Sequence, residues 1–215
     1  MIPYVSLFIK GSAITFSALI LAGSLSLLIG LLFGILSCNY LAYPKIRMFV
    51  KMFTFIAKGI PAYVQILIAY FIIPSLFKIN IPAFVAACGA LAFCSTGYTT
   101  EIIRSGINSI SSGQWDACAT LGYPLDAKLK RIILPQTFKN IGPALFGEFE
   151  QLLKSTSLLA TIGITELTRT GMNIISRELN PIPIYFTIAC GYLLFSVLLN
   201  MISIYVEKRL SYGQC

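Results

Sequence analysis

Histidine is absent from the 215 residues, and acidic groups are scarce, eight Asp and Glu against sixteen Lys and Arg. Without histidine the chain lacks the commonest metal ligand and the usual general base near neutral pH. The six cysteines, Cys38, Cys88, Cys94, Cys118, Cys190 and Cys215, show no paired spacing, so neither a zinc site nor a disulfide framework is expected. No lysine follows a glycine anywhere, which excludes the GxxxxGK[ST] loop that cradles nucleotide phosphates. No serine sits beside an evident base in a nucleophile motif, so an enzyme is not expected. Charge of either sign is also short, at 11% of residues, too little to cover the surface of a soluble domain. With 57% hydrophobic residues and a mean hydropathy of +0.82, the chain reads as a single integral membrane domain, residues 1–215, all α-helical.

What the chain has instead is long charge-free runs. A helix needs roughly 20 apolar residues to cross about 30 Å of hydrocarbon. Gly11 to Pro44, Gly59 to Phe77, Ile79 to Thr100 and Leu179 to Val206 contain no charge at all. The first run is too long for a signal-peptide core of about 7 to 15 residues and has no small-residue cleavage site, so it is expected to stay as a span. Within it Gly30 and Gly34 form a GxxxG pair, open to two readings: a close helix seam, or small residues incidental in a membrane helix.

Basic residues set the sidedness. Lys45, Arg47, Lys51 and Lys58 follow the first run; Arg104, Lys128, Lys130, Arg131 and Lys139 follow the third; Lys208 and Arg209 close the chain. These segments are expected in the cytoplasm, and the segments holding only Lys78, or only Arg169 and Arg177, outside. For that pattern to hold, the chain must cross once more between Lys139 and Arg169. The charged stretch "GEFEQLLKSTSLLATIG", Gly147 to Gly163, then becomes a fifth span. The expected spans are 13–37, 55–77, 82–104, 137–164 and 183–207, with a cytoplasmic loop over 105–136, the N-terminus outside and the C-terminus inside. The alternative is a re-entrant or surface-lying helix and only four spans. The net charge of +8 is met by acidic lipid beside the inner loops and calls for no nucleic acid.

The loop "EIIRSGINSISSGQWDACATLGYPLDAKLKRIILPQTFK" is long for a compact bundle and is expected to be folded or functional. Ser111 to Gly113 can start a short helix, Gln114 to Leu121 carry it, and Gly122 can end it before Pro124. Leu125 to Ile133 is again amphipathic, so a pair of short surface helices is expected. Physics alone leaves a docking element and a packed connector equally open.

The run Asp116-Ala117-Cys118, then Gly122, then Ile132-Ile133-Leu134-Pro135 resembles the cytoplasmic signature of importer-type ATP-binding cassette permeases. "KGIPAYVQILIAYF" at Lys58 to Phe71, "EIIRSGINSISSGQWDA" at Glu101 to Ala117, "LLKSTSLLATIGITELT" at Leu152 to Thr168 and "YVEKRL" at Tyr205 to Leu210 are similar to the polar amino-acid uptake branch of these binding-protein-dependent inner-membrane permeases. The likeness covers nearly the whole chain in order. Asp116 stands for the usual glutamate, Cys118 for alanine, Ile60 for a frequent threonine, and Ser155 for a frequent acid or asparagine.

The resemblance implies a type I importer permease fold of five transmembrane helices in the bacterial inner membrane. It also implies two permease copies, or one with a sister permease, an external amino-acid-binding protein, and a separate ATPase that binds the ATP, so that this chain needs no cofactor of its own. Gln114, Asp116, Ala117, Cys118, Gly122 and Pro135 would then couple to the ATPase. The rival within transport is a proton-coupled secondary carrier.

In the fifth span, a helical pitch of 100° per residue puts Glu148, Gln151 and Ser155 in a stripe about 60° wide. Intramembrane charges face protein or a wet cavity because lipid penalises them. These three are the candidate substrate wall, and the matching positions of Glu148 and Ser155 can contact substrate in the branch it resembles. A carboxylate there suits a cationic side chain or an α-ammonium, which points to a polar or basic amino acid; the other reading has Glu148 bonding a neighbouring helix. Glu150 and Lys154 fall on the opposite side at the i,i+4 spacing of an ion pair and are expected to be structural.

Overall fold

The computed structural model describes residues 4–41 and 43–211, and the regular structure among them is entirely helical. Cys215 lies outside the described residues. Helix α1 is Val5–Ser37, α2 Pro44–Gly59 and α3 Ala62–Phe77; α4 is Ala83–Asn108 and α5 Ser112–Thr120. Helix α6 runs without interruption through Leu125–Lys128, the π-helical Leu129–Ile133 and Leu134–Ser155, and tightens into a 3-10 stretch at Thr156–Ile162. Helices α7, Leu167–Glu178, and α8, Pro181–Ser211, complete the chain.

Two of these elements differ from expectation. The span expected over 55–77 is broken: residues 55–59 belong to α2, and α3 leaves it at 97°. Pro61 is the cause. A residue before proline is pushed out of the helical region, and Ile60 sits at φ −95°, ψ 129°. Gln65 holds the corner, its Nε2 donating to the carbonyls of Ala57 at 2.8 Å and Ile60 at 2.7 Å, which the break would otherwise leave unpaired. The second half of the long loop is likewise no separate surface helix, because Leu125–Ile133 continues directly into Leu134–Ser155. Pro135 fails to end it. A π-helical turn immediately upstream relaxes the ladder where the proline ring and its missing N–H would otherwise break it. The same device recurs at Ile68–Ile72 before Pro74 in α3.

Helices α1 and α4 form the closest pair. A Cβ on Gly30 would lie 2.7 Å from Thr99 Cγ2, and one on Gly34 2.7 Å from Ile103 Cγ2. The GxxxG pair is therefore consumed within the chain and is not a seam between copies. Replacing Gly34 with alanine is expected to cost about 1–3 kcal/mol through overpacking. Thermal unfolding of the purified protein should show a lowered midpoint, and an unchanged midpoint would mean that the seam yields freely.

The side-chain pairings fix the direction of each rod. Gly30 meets Thr99, Gly34 meets Ile103, and Asn39 N–H donates to Asn108 Oδ1 at 2.9 Å, so α1 and α4 are parallel. Gly106 meets Ile141 while Ser95 meets Glu148, so α6 runs back against α4. Gly142 approaches Glu207, and Phe146 shares a crevice with Ser203, so α8 opposes α6. Among the described residues three helices, Val5–Ser37, Ala83–Asn108 and Pro181–Arg209, are long and apolar enough to cross a membrane, and the bent pair α2–α3 passes the same test only when its two halves are taken together. Lys139, Glu148, Glu150 and Lys154 set α6 apart from them.

At the opposite end from α5, Glu166 is fully buried. Its carboxylate caps α7 by accepting from the N–H groups of Thr168 and Arg169, both at 2.8 Å, and accepts from the Tyr192 hydroxyl of α8 at 2.9 Å. Leu167 N–H donates to Thr15 Oγ1 of α1 at 3.2 Å. One capping segment thus ties three helices together.

Candidate functional site: a charged cavity at a broken helix

The broken corner between α2 and α3 opens a cavity of ≈ 360 Å³ against the faces of α4 and α6. Lys58, Ile60 and Pro61 come from the corner, Ser95 and Tyr98 from α4, and Glu148, Gln151 and Ser155 from α6. The stripe predicted from helical pitch is therefore brought together on one wall. Ser95 Oγ donates to Glu148 Oε1 at 2.7 Å and lies 3.3 Å from Ser26 Oγ on α1. That hydroxyl orients the carboxylate while leaving most of its acceptor sites open. Ser155 Oγ donates to the Gln151 carbonyl at 2.9 Å, which commits its hydrogen to the backbone of its own helix.

Lys58, Tyr98 and Ser95 were not singled out as site residues by the sequence. Lys58 Nζ lies 5.9 Å from the centroid of the Tyr98 ring, within range of a cation–π contact. It belongs to neither of the two ion pairs among the described residues, Glu101–Arg104 and Glu150–Lys154. The only signal for it was the sequence "KGIP", in which a proline-induced break places the preceding charge at the corner.

Glu150 Oε1 and Lys154 Nζ are 2.8 Å apart, with 37% and 55% of their side chains exposed. The pair lies on the outer surface of α6 and, among the described residues, reaches no other helix by an ion pair. Glu150 also borders a small polar crevice with Asn200, Ser203 and Glu207 of α8.

The short helix α5 sits across the end of the bundle. Trp115, 6% exposed, stacks on Tyr40 at 4.4 Å between ring centroids and 11° between planes; Cys118, 2% exposed, packs beside it. Cys118 is therefore turned inward and fastens α5 to the bundle, so it cannot itself face a docked partner. Gln114, Asp116, Ala117 and Gly122 are exposed, as is Pro135 on α6. Gly122 has φ +68°. Its N–H donates to the Ala119 carbonyl and that of Tyr123 to the Cys118 carbonyl, each at 3.0 Å, the double bond pattern of a Schellman cap.

Apolar rods packed around a cavity lined by a carboxylate and an ammonium are the architecture of a membrane protein with a polar internal site, as in a transport subunit. The chain belongs to the family described as binding-protein-dependent transport system inner membrane component, which it matches over residues 8–212. It is 32% identical over 208 residues to a Rickettsia typhi protein named for glutamine transport, covering 97% of this chain and 94% of that one. It is 30% identical over 209 residues to the arginine transport system permease protein of Bacillus subtilis, with the same shares covered. Among solved structures it superposes on a chain from the crystal structure of an amino acid ABC transporter with histidines, at a TM-score of 0.86 and 32% identity over 97% of this chain and 96% of that one. The all-helical importer permease fold is the one expected from the sequence, while the described helices give three spans, or four with the bent pair taken as one, against the five expected.

Proposed function

We propose that the chain is the permease of an ATP-driven importer of polar or basic amino acids, crossing the inner membrane five times with its N-terminus outside. The observation that carries the substrate class is the cavity itself. Glu148 offers a carboxylate to an ammonium or guanidinium group and Lys58 an ammonium to a carboxylate, a pair complementary to a zwitterion. Relatives named for glutamine and arginine transport support the same class. The alternating rod directions support α6 as a fifth crossing. The basic loops at the α5 end support a cytoplasmic location for that end.

In this reading the exposed residues Gln114, Asp116 and Ala117 of α5 seat in a separate ATPase, which binds and hydrolyses the ATP. An external binding protein delivers the amino acid. The surface pair Glu150–Lys154 needs a polar neighbour within the membrane, which a second permease copy or a sister permease supplies. Reconstituted with its ATPase and binding protein in vesicles, the complex should take up arginine, lysine, histidine or glutamine only with ATP, and the transported amino acid should stimulate ATP hydrolysis. Uptake driven by a proton gradient without ATP would establish a secondary carrier instead.

A further inference from the structure

A second, more open cavity of ≈ 540 Å³ lies further along the same two helices, lined by Glu101, Arg104 and Ser105 of α4, by Ser109 just past its end, and by Asn140 and Ala144 of α6. The two cavities are consecutive on both rods. Helix α4 gives Ser95 and Tyr98 to the first and Glu101 and Ser105 to the second; antiparallel α6 gives Gln151 and Glu148 to the first and Ala144 and Asn140 to the second. Steps of three or four residues keep each set on one helix face. The polar strip therefore continues from Glu148 toward the end of the bundle that carries α5.

Glu101 and Arg104 bond each other within this second cavity, their side chains 31% and 37% exposed. Charges that exposed need water or a polar neighbour, and the ≈ 540 Å³ cavity that they line has room for both. Neither residue lines the first cavity.

We propose that Glu101 and Arg104 form a second, transient site for the zwitterionic head of an amino acid leaving the Glu148 cavity. The α-carboxylate would take the Arg104 guanidinium and the α-ammonium the Glu101 carboxylate. The exchange replaces one internal ion pair by two with the substrate, and the planar guanidinium fork suits a carboxylate bidentately. The proposal rests on amino-acid import as the function of the chain.

The test uses Arg104→Gln and Arg104→Lys in the complete complex, measuring initial uptake rate, apparent KM and amino-acid-stimulated ATP hydrolysis. Arg104→Gln is expected to lower maximal uptake about tenfold or more, with KM nearly unchanged and stimulation of ATP hydrolysis retained, because entry to the first cavity is untouched. Arg104→Lys keeps the charge and a partner for Glu101 but loses the fork, and is expected to fall between the two. Uptake at the unmodified rate in Arg104→Gln overturns the second site. If that variant fails to assemble, unmodified uptake in Arg104→Lys overturns it equally. Neither result touches the import reading, which falls, and this proposal with it, only if the unmodified complex shows no ATP-dependent amino-acid uptake.

Discussion

Glu148→Gln is expected to reduce the preference of the importer for basic over neutral amino acids by about 10- to 100-fold, the range for losing one charge-assisted hydrogen bond. The substitution keeps the shape of the side chain and its bond from Ser95 Oγ, so the cavity wall stays in place and only the charge is lost. Competition of labelled arginine uptake by unlabelled lysine and glutamine measures the change. Unchanged preference removes Glu148 as the selector and leaves it a bridge to α4. Ser95→Ala separates the two roles further. It removes the hydroxyl that orients the carboxylate without removing the charge, so affinity should fall by only a few fold while the order of preference is kept.

The two halves of that cavity differ in how readily the sequence shows them. Helical pitch alone places Glu148, Gln151 and Ser155 on one stripe, because a regular helix converts spacing directly into direction. Lys58 reads instead as one of the basic residues between the first two apolar runs. Its place in the cavity depends on the 97° corner at Ile60–Pro61, and the angle of such a corner is set by packing against α4 and by Gln65, not by the proline alone. Glu166 is a sharper case. It reads as one acid in a short polar connector, yet it is fully buried and joins α7 to α8, with donors two and 26 residues further along the chain. No periodicity records a partner that distant in the chain.

Proline had opposite outcomes at positions that look alike in the sequence. Pro61 breaks a helix, while Pro135 and Pro143 lie within a continuous one. At Pro135 the preceding Leu129–Ile133 widens into a π-helical turn whose surplus residue absorbs the disruption; no such turn precedes Pro61, which pushes Ile60 out of the helical region. That continuity has a mechanical consequence. A rod running unbroken from Leu125, beside the α5 cap, to Ser155 in the cavity wall can carry a displacement at α5 to the cavity as a rigid body.

Gly122→Val tests whether displacement enters at α5. The valine would have to hold φ +68°, where a β-branched side chain is a steric outlier and an ordinary L-residue already costs roughly 1–2 kcal/mol. No atom lies within 4 Å of a Cβ built there, so the penalty is one of backbone conformation and not of crowding. The cheapest relief is to open the cap and lose the two 3.0 Å bonds from Gly122 and Tyr123, freeing the C-terminal turn of α5 while Trp115 and Cys118 still hold its inner face. The bundle should therefore fold and assemble with its ATPase. Uptake is expected to fall about tenfold or more while ATP hydrolysis persists, because the exposed surface of α5 no longer holds the angle that transmits the movement. Gly122→Asn, which enters the left-handed region at little cost, should retain most of the activity. Normal uptake by a fully assembled Gly122→Val complex would show that the cap only ends a helix, and the coupling would have to be sought along the exposed face at Gln114, Asp116 and Ala117.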